Sequence, residues 1–142
     1  MDVSLKDLAF VHLLTELTLY ARENQSGTVL PRTLVYTEEK EVAVIPDIVF
    51  VKRARSGIIQ KNRICGVPDL VVEIVSNPRH RDKLLGKKKD TYARCEVPEY
   101  WVADPFEKAI RKYVLNEGGY QETEKSRLFP DLRVQLPNSE KG

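Results

Sequence analysis

The chain has 142 residues, 23 Lys and Arg against 21 Asp and Glu, and a formal charge of +2; hydrophobic residues make up 42% and charged residues 31%. That is enough chain for one proper core, and the mixture excludes a fibre, a disordered chain and a general polycation. Two cysteines and two histidines, without ligand spacing, exclude a disulfide framework and a zinc motif.

Local charge says more than the total. Lys52 to Arg63 holds five basic residues and no acid: Lys52, Arg53, Arg55, Lys61 and Arg63. Arg79 to Glu96 holds seven basic residues against three acids. Such clusters attract phosphate, although either one alone reads as a solvated loop or helix face. No stretch reaches the ~18 apolar residues of a membrane span. The N-terminus lacks the charged-then-apolar pattern of a secretion signal, so a cytoplasmic protein is the expectation.

Residues 5–22 carry an apolar face at helical spacing, with Ser4 and Asp7 placed to cap the first turn. Residues 28–36 predict a strand, which Pro31 assigns to a sheet edge, where a homodimer contact has an open ladder. Glu38 to Glu41 reads as a turn. Residues 42–51 predict a strand broken or bulged at Pro46, and residues 53–66 a basic loop. Residues 68–76, apolar on both faces, predict a central strand. Residues 82–95 predict one helix, 99–103 a buried strand, and 109–115 with 120–123 a hairpin turning at Gly118-Gly119. Residues 128–136 predict a short terminal piece. The strands at 47–51 and 69–75 are expected to be antiparallel. The helix should then cross over to a strand at 99–103 parallel to 69–75. The fold class is α/β, a mixed sheet flanked by helices.

Three acids interrupt the most apolar strands. Asp47 opens the run Asp47-Ile48-Val49-Phe50-Val51, and Asp69 and Glu73 lie in Asp69-Leu70-Val71-Val72-Glu73-Ile74-Val75. Burying a carboxylate without a partner costs several kcal/mol, roughly, or drives it to the neutral form. A divalent cation is one partner that would hold it charged. Alternation puts Asp47, Val49 and Val51 on one face, and Asp69, Glu73 and Val75 on one face of the other strand. Pairing Asp47 opposite Val75 makes Asp47 and Glu73 diagonal neighbours, roughly 7 Å apart. Oxygen ligands of this kind suit Mg²⁺ or Mn²⁺. In that register Asp69 falls at the other end of the hairpin, where a Pro-Asp pair also serves as a turn cap. On the following helix, Lys88 and Lys89 both border the apolar stripe, and spacing does not choose between them.

Pro46-Asp47, Pro68 to Ser76, Arg81-Asp82, Lys88, Tyr92 and Val97 to Pro105 together form a specific string. The string resembles the Uma-two family of endonucleases, a branch of the restriction-endonuclease-like PD-(D/E)XK superfamily, most clearly over residues 42–115. The resemblance implies one restriction-endonuclease-like domain over residues 1–142 and a Mg²⁺- or Mn²⁺-dependent nuclease acting on DNA. Asp47 and Glu73 match the motif acids, which would hold the metal, with Asp69 as a further ligand. The superfamily lysine normally follows two residues after the second acid, where this chain has Val75. Lys88, four residues before Tyr92, matches the family's displaced lysine and completes the expected catalytic set Asp47, Glu73 and Lys88. Lys52, Arg53, Arg55, Lys61, Arg63, Arg79 and Arg81 are the expected nucleic-acid contacts. Two departures stand out. Glu96 replaces a usual glycine at a helix end that favours left-handed backbone, and the chain starts almost at the first helix. Both suit the rival expectation, an inactive nucleic-acid-binding or regulatory module on the same fold.

Overall fold

The computed structural model describes residues 3–37 and 40–137. Glu38 and Glu39, half of the turn expected at Glu38 to Glu41, therefore lie outside the described residues. Helix α1 (Leu5–Asn24) starts where Ser4 Oγ accepts the Asp7 N–H at 3.0 Å. It buries Ala9, Leu13, Leu17 and Ala21, one residue per turn, against a sheet.

That sheet has six strands in the order β1-β4-β7-β8-β9-β10. They are β1 (Gly27–Pro31), β4 (Ile48–Lys52), β7 (Leu70–Ile74), β8 (Glu99–Asp104), β9 (Ala109–Asn116) and β10 (Gly119–Thr123). β4 runs antiparallel to β7, and β7 parallel to β8. Pro31 lies on an edge strand, as its missing N–H requires. α1 covers one face through Ile48, Phe50, Leu70, Val72 and Trp101. The other face presents Val49, Val51, Val71, Val75 and Tyr100.

Two of the expected strands are in fact four. The chain turns out of the large sheet at Arg32, whose φ is +32°, and enters β2 (Leu34–Thr37). β3 (Val42–Val44) likewise ends before Pro46, and β4 begins after Asp47. β2 and β3 belong to a second sheet, order β3-β2-β6-β5, with β5 (Ile59–Gln60) and β6 (Arg63–Cys65). The expected basic loop thus contains a six-residue 3₁₀ helix (Arg53–Ile58) and two short strands. Val35 and Ile64 of this sheet pack with Val49, Val51 and Val71.

The helix expected over 82–95 is also divided, into α2 (Arg81–Leu85) and α3 (Lys87–Arg94), with Gly86 at the joint. A Cβ on Gly86 would lie 3.0 Å from the Asp82 carbonyl oxygen, so the bend leaves little room there. α3 ends with Glu96 at φ +62°, its N–H bonded to the Ala93 carbonyl and the Val97 N–H to the Tyr92 carbonyl. This is a glycine-type helix stop built with glutamate.

The terminal segment is anchored by an acid. Glu99, 1% exposed, accepts from Trp101 Nε1 at 2.6 Å, from Ser126 Oγ, and from the Arg127 and Leu128 N–H groups at 3.1 and 3.3 Å. Phe129 thereby stays against Phe50 and Trp101.

Candidate active site

The β4–β7 register pairs Ile48 with Val72 and Phe50 with Leu70. Continued by one residue, it sets Asp47 opposite Glu73, two residues from the expected pairing with Val75. A slip of two keeps every side chain on its face. The carboxylates are therefore direct neighbours, with Cβ atoms about 5 Å apart rather than diagonal. Asp47 Oδ2 accepts the Ile74 N–H at 2.8 Å, which ties the aspartate to β7.

Both acids are 7% exposed. Glu73 Oε2 accepts the Tyr92 hydroxyl at 2.6 Å. Two lysines flank the pair: Lys6 Nζ lies 3.2 Å from Asp47 Oδ1, and Lys88 Nζ lies 3.6 Å from Glu73 Oε2. Burial pushes the Glu73 carboxyl above its ordinary value; the Tyr92 bond and Lys88 oppose the shift, Asp47's charge adds to it, and Lys6 opposes it. Burial and the Glu73 charge push the Tyr92 phenol strongly upward, so it remains a donor.

The acids open into a cavity of about 160 Å³ that Lys6, Lys83, Lys88 and His80 also line. His80 is held by its Nδ1, 2.9 Å from Ser76 Oγ. Val75, in the place of the superfamily lysine, is fully buried. Lys88 and Lys89, equivalent by spacing, separate here. Lys88 reaches Glu73, whereas Lys89 Nζ sits 4.4 Å from the centroid of the Tyr113 ring.

No cluster of three or more Asp, Glu, His or Cys is poised for a metal among the described residues. Two carboxylates are nevertheless what Mg²⁺ commonly takes from protein, the remaining positions going to water and substrate phosphate. Glu73 Oε1 has no hydrogen bond or ion pair among the described residues, and Asp47 Oδ1 has only Lys6. The donor set fits a hard cation that displaces Lys6.

Asp69 does not join this pair. It stands four residues before Glu73, about 13 Å along the strand. Its Oδ2 accepts the Lys52 N–H at 2.8 Å and lies 3.0 Å from Arg55 Nη1. The expectation of Asp69 as a further ligand at the site is corrected accordingly. The basic residues also divide. Lys52 ends the strand that Asp47 precedes, about 17 Å away; Arg53 lines a cavity with Lys52 there, Arg55 and Arg63 line one with Asp69, and Lys61 is exposed in the turn between β5 and β6. Arg81 is paired with Asp104 and Glu107. Arg79 alone of the seven sits exposed beside the cavity residue His80.

Sequence reading missed Lys6, Lys83 and His80. Lys6 did carry a signal. It lies three, seven and eleven residues before Ala9, Leu13 and Leu17, so it heads the stripe that α1 buries. A lysine in that row needs an acid in the sheet beneath it.

Residues 6–139 match the Uma2 family, described as "Putative restriction endonuclease". The chain belongs to the Uma2 family. Comparison with curated proteins gives no match. Among solved structures, the fold is similar to the crystal structure of "a putative nuclease belonging to DUF820" from Anabaena variabilis ATCC 29413. The TM-score is 0.72 at 13% identity, covering 96% of this chain and 80% of that one. At that identity the likeness concerns the fold, a mixed sheet flanked by helices. The Uma2 match extends from the turn of α1 that carries Lys6 through the acids of β4 and β7 to the terminal segment. Among the described residues, no helix is long and apolar enough to cross a membrane.

Proposed function

We propose that this Uma2 protein is a metal-dependent endonuclease that hydrolyses DNA phosphodiester bonds. The observation that carries the reading is the facing of Asp47 and Glu73 across neighbouring strands, on one face, with Lys88 beside them. Asp47 and Glu73 would hold Mg²⁺ or Mn²⁺. When bound, the ion would supply Lewis acidity toward the scissile phosphate and its attacking water.

The side chains have separable tasks. The Ile74 N–H fixes Asp47, and the Tyr92 hydroxyl fixes Glu73 while leaving Oε1 open. Lys88 is placed to stabilise charge that develops on the phosphoryl oxygens. It takes the role that Val75 lacks the chemistry for. Lys83 and Arg79 lie at the same end and would hold the adjoining backbone, contacts that carry little sequence information. Lys52, Arg53, Lys61 and Arg63 would meet the DNA beyond the cutting centre. Arg55 and Arg81 drop out because their charges are already paired.

A second reading rests on the Lys6–Asp47 and Lys88–Glu73 pairs, which balance two acids with two lysines. Such a cluster would suit an inactive nucleic-acid-binding or regulatory module. Cleavage of plasmid and single-stranded DNA with Mg²⁺ or Mn²⁺ decides between them. Wild type should cut and Glu73→Ala should lose at least about 100-fold, the scale of a lost transition-state contact. Equal cutting by the two overturns the assignment, and DNA binding without cutting or metal affinity selects the second reading.

A further inference from the structure

Helix α1 has a second face that the nuclease reading does not use. Ala9, Leu13, Leu17 and Ala21 are buried against the sheet. The pole opposite them carries Leu8, Val11, Thr15, Leu19 and Arg22, all exposed and three or four residues apart. Leu8 is 38%, Val11 60% and Leu19 48% exposed. Thr15 adds little polarity, because its hydroxyl donates to the Val11 carbonyl of the same helix at 2.8 Å. A surface helix normally turns charged and polar residues to solvent. Here about three turns of that pole form an apolar stripe instead. The other large exposed hydrophobics, Val3, Tyr36, Ile45 and Phe106, stand on separate segments, and scattered ones need no explanation.

The stripe is complementary to itself. Let a second copy of α1 lie antiparallel at a shallow crossing angle, about 20°, with a two-fold axis at Thr15. Val11 then meets Leu19 of the second copy, Thr15 meets Thr15, and Leu8 meets the aliphatic stem of Arg22. The same register brings Asp7 beside the Arg22 guanidinium of the second copy, at both ends. Asp7 has only an exposed pair with Arg32, at 3.6 Å, and keeps acceptor capacity for a second guanidinium. Arg22 has no ion-pair partner among the described residues. Other occupants fit less well. Asp7, Glu16 and Glu23 flank the stripe, whereas a helix that lies on a membrane carries lysine and arginine there. The chain beyond residue 137 reads Asn-Ser-Glu-Lys-Gly and offers no apolar side chain to cover it.

We propose that the Leu8, Val11, Thr15 and Leu19 stripe is a homodimer interface, in which two α1 helices pair antiparallel about Thr15 and Asp7–Arg22 pairs close both ends. The surface is separate from the β1 edge, and the proposal does not rest on the nuclease reading. One pair of helices, each about 30 Å long and 10 Å wide, falls short of the roughly 800 Å² per partner of a standard interface, so the dimer is weak. Lys6 lies toward the N-terminal end of α1, so the two Asp47–Glu73 sites come to opposite ends of the pair, with their Lys6 residues about 27 Å apart along the helix axes.

The test is sedimentation of the full chain over a concentration series, in EDTA and without DNA, so that cutting plays no part. Wild type should pass from monomer to dimer. Val11→Ser/Leu19→Ser, at exposed positions, should melt like the wild-type monomer and stay monomeric. Asp7→Arg and Arg22→Asp, each alone, place like charges together at both ends and should weaken association at least about tenfold. Mixing these two variants in equal amounts should restore it, because each mixed dimer regains an opposite-charge pair at both ends. Parallel helices, or an interface elsewhere, give no such recovery. A wild type that stays monomeric at about 1 mM, the weak end of specific affinities, overturns the proposal, whatever else the stripe binds. A dimer that survives Val11→Ser/Leu19→Ser overturns it too, as does a mixture of the charge variants that fails to recover.

Discussion

Five acids are buried in or beside the central strands; Asp104 ends β8 bonded to Arg81 and to the Phe106 and Glu107 N–H groups, and the other four are treated differently at the two ends of the sheet. At the far end, Asp69 and Glu99 direct their oxygens to donors of the fold: the Lys52 N–H, Arg55, the Trp101 indole, Ser126 and two N–H groups of the terminal segment. At the other end, Asp47 and Glu73 take one strong bond each and line a cavity together with Lys6 and Lys88. Burial alone therefore does not separate a structural acid from one proposed to hold the metal, since all four are at most 7% exposed. What separates them is how many fixed donors each oxygen already has.

The largest expected effect comes from removing a structural acid. Glu99→Ala orphans the Trp101 N–H and two backbone N–H groups in a buried place, at about 1–3 kcal/mol for each lost partner. Its stability should fall by at least about 3 kcal/mol, and urea unfolding measures it. A loss under about 1 kcal/mol would break the division between the two ends.

This division was only half legible in the sequence. The alternation of β7 and β4 puts Asp47 and Glu73 on one face, and even a register wrong by two residues preserves that. Asp69 has the same surroundings in sequence, and nothing in its neighbours reveals that Lys52 N–H and Arg55 meet it from seventeen and fourteen residues back. α1, β7, β8 and the Gly118-Gly119 hairpin were readable because each follows one period from end to end. The break at Pro46 was expected, but the corner at Arg32 was not, because alternation runs on through it and Arg32 is neither glycine nor asparagine. The break at Gly86 was hidden in a helical pattern that continues on both sides. Lys88 was chosen by family likeness rather than by spacing, and its Nζ lies 3.6 Å from Glu73 Oε2.

Substitution at the Asp47–Glu73 end should act with the opposite sign. Glu73 has a carboxyl raised by burial. A carboxyl raised in the folded state contributes most below its unfolded value, about 4.3. That contribution is lost as pH rises through the folded value. Glu73→Gln removes the burdened charge and retains an acceptor for Tyr92. It should melt above wild type at pH 8, and the gap should close as pH falls toward 4. A variant that melts below wild type at pH 8 would place Glu73 with Glu99 as a structural acid.

A smaller effect sharpens the same contrast through the metal. Lys6 is partly exposed, so its pair with Asp47 is worth about 1 kcal/mol or less. A cation that takes Asp47 must displace it. Lys6→Gln should tighten Mg²⁺ binding by up to about fivefold, the same energy read as affinity, in calorimetry without DNA. Unchanged or weaker binding would mean that Asp47 does not meet the ion.

The smallest effect belongs to neither end but to the helix that carries Lys88 and Tyr92 to Glu73. α3 stops at Glu96, held at φ +62° by the bonds to Ala93 and Tyr92. A side chain there costs about 1 kcal/mol or more that glycine avoids, partly offset by the greater freedom glycine has when unfolded. Glu96→Gly should therefore raise stability by roughly 0.5–1 kcal/mol. Glu96 is exposed and follows the last turn of α3, whose side chains reach Glu73 from the turns before it. Cleavage and Mg²⁺ binding should consequently stay at wild-type levels in Glu96→Gly. If they change while stability rises, the helix end tunes how Lys88 and Tyr92 approach the acids, and the substituted glycine belongs to the site rather than to the scaffold.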